Sequence, residues 1–389
     1  MSIRGKACIA GIYEHPLRKA PDKSVAQLHA EVALGALADA GLTIDDVDGY
    51  FCGGDAPGTG PLSLIDYMNL NVRHADSSNI GGASYILHVG HAAEAIAAGK
   101  CDVALITLAG RPRSEGLSKG IVPRTDNPVQ PDFPWESPMR MTTVNAYAMC
   151  AMRHMYEYGT TSEQLAWIKV AASHHAQHNP NAMLRDVVTV EDVVNSPMIA
   201  DPLHRLDCCV VSDGGGALVV VRPEIAKELN RPKIMVRGGA EAVKHQSGGT
   251  FDLTWSAGAL SGPKAFEEAG ITPDDIKYVS VYDSFTYTVL TQLEDLGFCE
   301  KGKGGAFVSD GNLISGVGKL PFNTDGGGLC NNHPVHRGGM TKVIETVRQL
   351  RGEAHPAVQV PGCDLALAHG TGGNLGTRHG AATLILERQ

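Results

Sequence analysis

Residues 32–48 read VALGALADAGLTIDDVD, and residues 261–277 read SGPKAFEEAGITPDDIK. Both read as a helix, a glycine (Gly41, Gly270), and then (Leu/Ile)-Thr-x-Asp-Asp-(Val/Ile). Glycine suits the left-handed residue that ends a helix. Each unit runs on into an apolar stretch, GYFCG after the first and YVSVYDSF after the second. Two more matched pairs lie further out. HAAEAIAAGKCDVALITLAG (91–110) answers VIETVRQLRGEAHPAVQVPGCDLALAHGTGG (343–373), and SDGGGALVVV (212–221) answers RHGAATLILE (378–387). The three units come in the same order, so the chain reads as two similar halves, 1–225 and 226–389. ALVVV and TLILE suit buried central strands. Their alternation with helices predicts an α/β protein with parallel or mixed sheets covered on both faces.

Composition agrees. A chain of 389 residues with 43% hydrophobic residues can bury a large core and spans two or three units of ~100–200 residues. The net charge of −9 comes with no basic stripe, which argues against nucleic acid. An anionic ligand would have to be met by local basic residues or helix N-termini. The nine cysteines, at 8, 52, 101, 150, 208, 209, 299, 330 and 363, show no Cys-x-x-Cys and no metal-type spacing. They read as reduced thiols of a cytoplasmic protein with no metal site. MSIRGKACIAGIYEH enters a strand at once and lacks the features of a signal peptide. No apolar run approaches ~18 residues, so no membrane span is expected.

Residues 111–165 have no counterpart in the second half. The stretch is first rich in proline and charge (RPRSEGLSKGIVPRTDNPVQPDFPWESPMR), then helical (TTVNAYAMCAMRHMYEYG). An insertion this long is often a functional loop or cap. Two readings stay open: basic residues meeting an anionic ligand, or a solvated loop.

Three stretches carry a family resemblance: YGTTSEQLAWIKVAASHHAQHNPNAMLRD (158–186), MIADPLHRLDCCVVSDGGGALVVV (198–221) and NTDGGGLCNNHPVHRGGM (323–340). Together they resemble the thiolase superfamily, and within it the sterol-carrier-protein type, over essentially the whole chain. That resemblance implies a five-layer αβαβα fold with two duplicated halves and an acyl-CoA substrate. It also implies four active-site elements: a nucleophilic cysteine, an Asn or His in an NEAF- or HDCF-type motif, the histidine of a His-Pro pair, and a second cysteine in a C-terminal glycine loop.

Carried over one at a time, the resemblance assigns His333 of NNHPV to the catalytic histidine; its other reading is a surface or capping histidine. The NEAF-type motif corresponds to YDSF, so Tyr282 stands where Asn or His would, followed by Asp283. Its plain reading is a buried tyrosine with Asp283 capping the next helix. The C-terminal loop corresponds to LALAHGTGGNLGTRHG. Its cysteine is absent, His369 or Gly370 stands near the place, and Gly372 and Gly373 are available as backbone N–H donors. The nucleophile loop corresponds to DSSNIGGASY (76–85), where the cysteine's place falls at about Gly82, with Ser84 nearby. No cysteine occurs between Gly53 and Lys100.

Claisen cleavage needs a thiolate to take the acyl group. A retro-aldol cleavage does not. It needs a base for a β-hydroxyl and donors for the thioester oxygen as an enolate develops. With YDSFTYT, the chain resembles the lipid-transfer-protein-type aldolases of bacterial steroid side-chain degradation. That branch implies cleavage of a β-hydroxyacyl-CoA to a ketone and a short acyl-CoA, and a partner, a small zinc-ribbon/OB-fold protein. The residues expected to act are Tyr282 as acid/base, His333 with His336 as relay or oxygen donor, and Asp283 orienting Tyr282. Gly82, Ser84, His369, Gly372 and Gly373 are expected to form the oxyanion and acyl-CoA-binding surface. No permanently bound cofactor is expected; the coenzyme A thioester is substrate, and a homodimer is implied by the resemblance. Two alternatives remain. One is a Claisen-type acyltransferase using a displaced thiol such as Cys330. The other is a non-catalytic acyl-CoA- or lipid-binding subunit of thiolase fold.

Overall fold

The computed structural model describes residues 2–53, 56–117, 138, 142–245, 252–334 and 338–389. Its strands are β1 (Cys8–Glu14), β2 (Gly49–Cys52), β3 (His74–Asp76), β4 (Val103–Gly110), β5 (Met198–Ala200), β6 (Leu203–His204), β7 (Gly214–Val221), β8 (Ile234–Lys244), β9 (Tyr278–Val281), β10 (Leu365–Asn374) and β11 (Thr377–Arg388). The helices that matter for the site are α1 (Val25–Ala40), α2 (Ser84–Ala97), α3 (Thr143–Tyr158), α4 (Ser162–Ala176), α5 (Gly258–Ala269), α6 (Thr286–Asp295) and α7 (Gly339–Arg351).

Nine strands pair in the order β3-β2-β4-β7-β1-β8-β11-β10-β9, and β5 with β6 forms a separate ribbon. Outward from the β1–β8 pair the order is symmetric. β1–β7 and β7–β4 are antiparallel and β4–β2 is parallel. On the other side β8–β11 and β11–β10 are antiparallel and β10–β9 is parallel. The parallel β2–β3 pair is answered by a parallel bridge between Val279 and Phe322. This symmetry supports our proposal that the chain is two halves meeting between β7 and β8.

The Thr-x-Asp-Asp units show how sequence fixes this locally. Gly41 and Gly270 end α1 and α5 with φ of 73° and 67°, a conformation open to glycine. One 3₁₀ turn comes next in each half. In it the N–H of Thr43 donates to Asp46 Oδ2, and the N–H of Thr272 to Asp275 Oδ2, both at 2.8 Å. The aspartate thus occupies a backbone donor that the turn leaves open, and β2 or β9 starts three residues later.

α1 covers β1, β4 and β7, while α5 covers β8 and β11. α2 and α7 each contact strands on both sides of the β1–β8 pair, so they form the central layer. Strand parity sorts the faces. Along β10, Ala366 and Ala368 pack with α2 and α7, while Leu365 and Leu367 pack with α4, α5 and α6. Of the 111–165 insertion, residues 118–137 and 139–141 lie outside the described residues, and its helical part is α3. Among the described residues no helix is long and apolar enough to cross a membrane, and no three His, Cys, Asp or Glu side chains are grouped to hold a metal ion.

Candidate active site

The loop after β9 begins with Tyr282, held at both ends of its peptide unit. Its N–H donates to the His369 carbonyl (2.9 Å) and its carbonyl accepts from Gln292 Nε2 (2.6 Å). Position 282 continues the face of β9 that carries Tyr278, whose side chain lies in the core of the central layer. The phenol therefore enters that layer, where its Oη lies 2.8 Å from His333 Nε2 with the ring centroids 5.5 Å apart.

Glycines make room for both rings. A Cβ placed on Gly82 would lie 2.5 Å from Tyr282 Cε2 and Cζ and would also strike the Thr371 carbonyl. A Cβ on Gly338 would lie 3.2 Å from Tyr282 Cε2 and 3.3 Å from His333 Cδ2, and one on Gly328 3.2 Å from His333 Cδ2. The Tyr282 ring thus stands in the volume that a side chain at position 82 would need. His333 is fixed through its backbone: its N–H donates to Ser212 Oγ (2.9 Å), and Ser212 Oγ donates to Asn332 Oδ1 (2.7 Å).

Burial pushes the Tyr282 phenol well above its ordinary range, with Cys209, Tyr147 and Asp283 adding to the rise, while a hydrogen bond from the Gly338 N–H opposes it. A phenol that keeps its proton donates it. The Gly338 N–H takes a lone pair on Oη, so the O–H points to Nε2, which assigns His333 the Nδ1–H tautomer.

Several expected site residues sit elsewhere. His369 extends the Leu365/Leu367 face of β10. Its imidazole is buried against Thr383 (Nδ1 to Oγ1, 2.8 Å) and beside Gly258, away from the Tyr282 ring, and only its backbone carbonyl serves the site. Burial lowers that imidazole to about 3. Ser84 is wholly buried and closes its own turn, its Oγ donating to the Gly81 carbonyl (2.7 Å) and accepting from the Ile80 N–H (3.0 Å). Nor does the Gly81 N–H face open space; it donates to Asn79 Oδ1. Asp283 turns away from the phenol. Its oxygens accept from the Gly328 N–H (2.9 Å) and the Leu329 N–H (3.1 Å), and Lys342 Nζ lies 2.7 Å from Oδ1. Gly372 and Gly373 pack against Ile80 and Gly81 and so border the site. His336 lies outside the described residues.

Four residues join the site without a signal in the sequence. Ser212 and Lys342 act as above. From α3, Tyr147 stacks on Phe285 (4.8 Å) and its hydroxyl reaches the Gly373 carbonyl (3.4 Å). Cys209 is half-buried, its backbone tied to Ser284, and its charge is felt at Tyr282. Cys330, by contrast, is fully buried beneath Lys169, whose Nζ lies 3.2 Å from its sulfur. Burial raises both thiols.

A mixed sheet of this order around two central helices is the thiolase fold. Residues 240–388 match the family described as "Thiolase C-terminal domain-like". The chain is 34% identical to an acetyl-CoA acetyltransferase of Methanothermobacter thermautotrophicus, covering 98% of this chain and 99% of that one. It is 35% identical to a steroid side-chain-cleaving aldolase of Thermomonospora curvata, covering 95% and 96%. A solved structure titled "Ltp2-ChsH2(DUF35) aldolase" superposes with a TM-score of 0.88 at 34% identity, over 99% of this chain and 98% of that one. The chain belongs to the thiolase superfamily, in the sterol-carrier-protein-like branch that resembles steroid side-chain-cleaving aldolases.

Proposed function

We propose that this protein is an acyl-CoA carbon–carbon lyase that cleaves a β-hydroxyacyl-CoA by retro-aldol chemistry. The observation that carries the reading is the Tyr282–His333 hydrogen bond, with the phenol standing where a side chain at Gly82 would be. A phenol held this high is no standing base, so the proton has to pass through it. Tyr282 Oη takes the β-hydroxyl proton as its own proton moves to His333 Nε2. The Cα–Cβ bond breaks, the ketone leaves, and the electron pair goes to the thioester enolate. Backbone N–H groups of the Gly372–Gly373 segment are the proposed donors to that oxygen. The imidazolium then returns its proton through Tyr282 to Cα, which regenerates the starting site and releases a short acyl-CoA. General acid–base catalysis by positioned groups of this kind is commonly worth ~10²–10⁴-fold.

The names of the relatives support a steroid-type side chain as the acyl group, and the aldolase complex supports a small zinc-ribbon/OB-fold partner beside a homodimer. The test is incubation with β-hydroxyacyl-CoA esters, with and without such a partner, assaying released ketone. Full cleavage by a Tyr282→Phe variant would refute the assignment.

The acyltransferase name of one relative favours a second reading, transfer to a thiol. In this site the candidate thiol is Cys209 rather than Cys330, because Cys330 is sealed under Lys169. Burial keeps Cys209 protonated, which weighs against it as a nucleophile. A Cys209→Ala variant that retains turnover excludes that route.

A further inference from the structure

α2 and α7 begin alike. Gly81-Gly82-Ala83-Ser84 answers Gly338-Gly339-Met340-Thr341. In each the hydroxyl closes on the glycine carbonyl three residues back, Ser84 Oγ on Gly81 (2.7 Å) and Thr341 Oγ1 on Gly338 (2.8 Å). The next position is Tyr85 in the first half and Lys342 in the second, and each reaches the loop after its half's parallel strand. The Tyr85 hydroxyl accepts from the Gly53 N–H (3.1 Å) just beyond β2. Lys342 Nζ sits 2.7 Å from Asp283 Oδ1 just beyond β9, both side chains 1% exposed. A neutral hydrogen bond therefore fills this slot in one half and a buried ion pair fills it in the half that carries Tyr282.

We infer that Lys342 is a positioning residue for the Tyr282–His333 pair, acting through Asp283; this rests on the function proposed above. The Asp283 carboxylate joins three elements: the loop that starts at Tyr282, the turn Gly327–Cys330 that leads to His333, and the first turn of α7, which begins next to Gly338. Holding two N–H groups at once needs both carboxylate oxygens as acceptors, so the carboxylate must stay ionised. In the absence of its counter-cation a buried carboxylate takes up a proton instead. One oxygen then becomes a donor, the Gly328 or Leu329 N–H loses its acceptor, and His333 drifts from the phenol. The other titratable groups around the pair are Cys209, Cys330, Tyr282 and, beyond Lys342, Asp325. Lys342 supplies the cation in contact with the carboxylate.

The experiment compares Lys342→Met, Lys342→Met/Asp283→Asn and wild type in two readouts. The first is the pH profile of kcat and KM for β-hydroxyacyl-CoA cleavage. Lys342→Met is expected to lower kcat at least tenfold at pH 7 with KM within twofold, and to regain activity as pH rises and Asp283 ionises. The double variant is expected to lose that pH-dependent recovery. The second is the imidazole NMR signal of His333, assigned by its disappearance in His333→Gln. It is expected to shift in Lys342→Met at pH 7 and to return toward its wild-type position at pH 9. An unmoved His333 signal, or a kcat loss that is the same at every pH, overturns the positioning role. A protein that shows the NMR shifts but cleaves no β-hydroxyacyl-CoA would instead overturn the proposed function and leave the positioning intact.

Discussion

The starts of α2 and α7 face each other across the site, and comparing them shows how a duplicated scaffold came to hold a single chemistry. Both open with two glycines and a hydroxyl that locks the turn. They approach so closely that a Cβ on Gly339 would strike the Gly82 carbonyl. The two halves differ in the residues just past their parallel strands. β2 ends at Cys52 and passes into Gly53, whereas β9 passes into Tyr282 and Asp283. Only the second loop sends a ring inward, and that ring fills the space which Gly82 leaves beside α2. The first half thus contributes room and the second half contributes the proton. A nucleophile at position 82 and a phenol from position 282 compete for one volume, so the missing cysteine and the inserted tyrosine form a single exchange.

The sharpest way to break this comparison is to remove the phenol oxygen. Tyr282→Phe keeps the ring in its glycine cage, so the fold should hold, while kcat for retro-aldol cleavage should fall ~10³-fold, within the range of positioned acid–base groups. Steady-state kinetics with a β-hydroxyacyl-CoA checks it. Next comes the cage. Gly82→Ala places a methyl group on the Tyr282 ring and the Thr371 carbonyl. Overpacking of this kind costs about 1–3 kcal/mol, read as a lower denaturant midpoint, and displacement of the ring should remove most of the activity as well. A Gly82→Ala protein with wild-type stability and turnover would end the argument that the two positions share one space.

The duplication was legible because Thr-x-Asp-Asp turns are local: the capping oxygen and the donor it meets lie three residues apart, so the motif survives in sequence. Tyr282 and His333 were legible through the motifs around them. What failed was parity and distance. His369 sits in the right loop, but an imidazole one strand position along faces the opposite side of the sheet, and nothing in HGTGG declares which side. Asp283 was next to the right residue and engaged with the wrong partner, since Lys342 and the Gly328 N–H lie dozens of residues away in sequence. Ser212 is 121 residues from the His333 N–H it accepts from. Tyr147 lies in the insertion, where composition suggested only a cap.

The outer faces of the sheet extend the contrast to pH. His29 is buried under α1, while His175, His369 and His379 are buried on the outer face of the second half, and burial lowers each of the four to about 3. An unfolded histidine titrates near ~6.5. Between about 3 and 6.5 the unfolded chain binds protons that the native state refuses, so stability falls as pH falls through 6.5, by about 1.4 kcal/mol per pH unit for each such histidine. Glu345, which burial lifts to about 7, works the other way over pH 4.5–7 because there the native state holds the extra proton. Urea midpoints at pH 7.5, 6.5 and 5.5 should therefore fall on acidification, with net uptake of at most about three protons on unfolding. His369→Gln should flatten the slope. A midpoint that does not change over this range would mean that these imidazoles are not held neutral.

The smallest expected effect tests whether the tightness at Gly82 is local to the site. Gly90 lies in the same helix, α2, and a Cβ there meets nothing within 4 Å. Its backbone is not in the left-handed region, so the residue has no conformational need to be glycine. In a helix interior, replacing glycine by alanine relieves the entropy cost of the glycine and gains about 0.5–1 kcal/mol. Gly90→Ala should accordingly raise the denaturant midpoint slightly and leave turnover unchanged. Eight residues apart, two glycines of one segment should then respond to the same methyl group with opposite signs, because only Gly82 has a phenol where its side chain would be. If Gly90→Ala also destabilises the protein, the intolerance belongs to the buried central layer as a whole and the special relation between Gly82 and Tyr282 is lost.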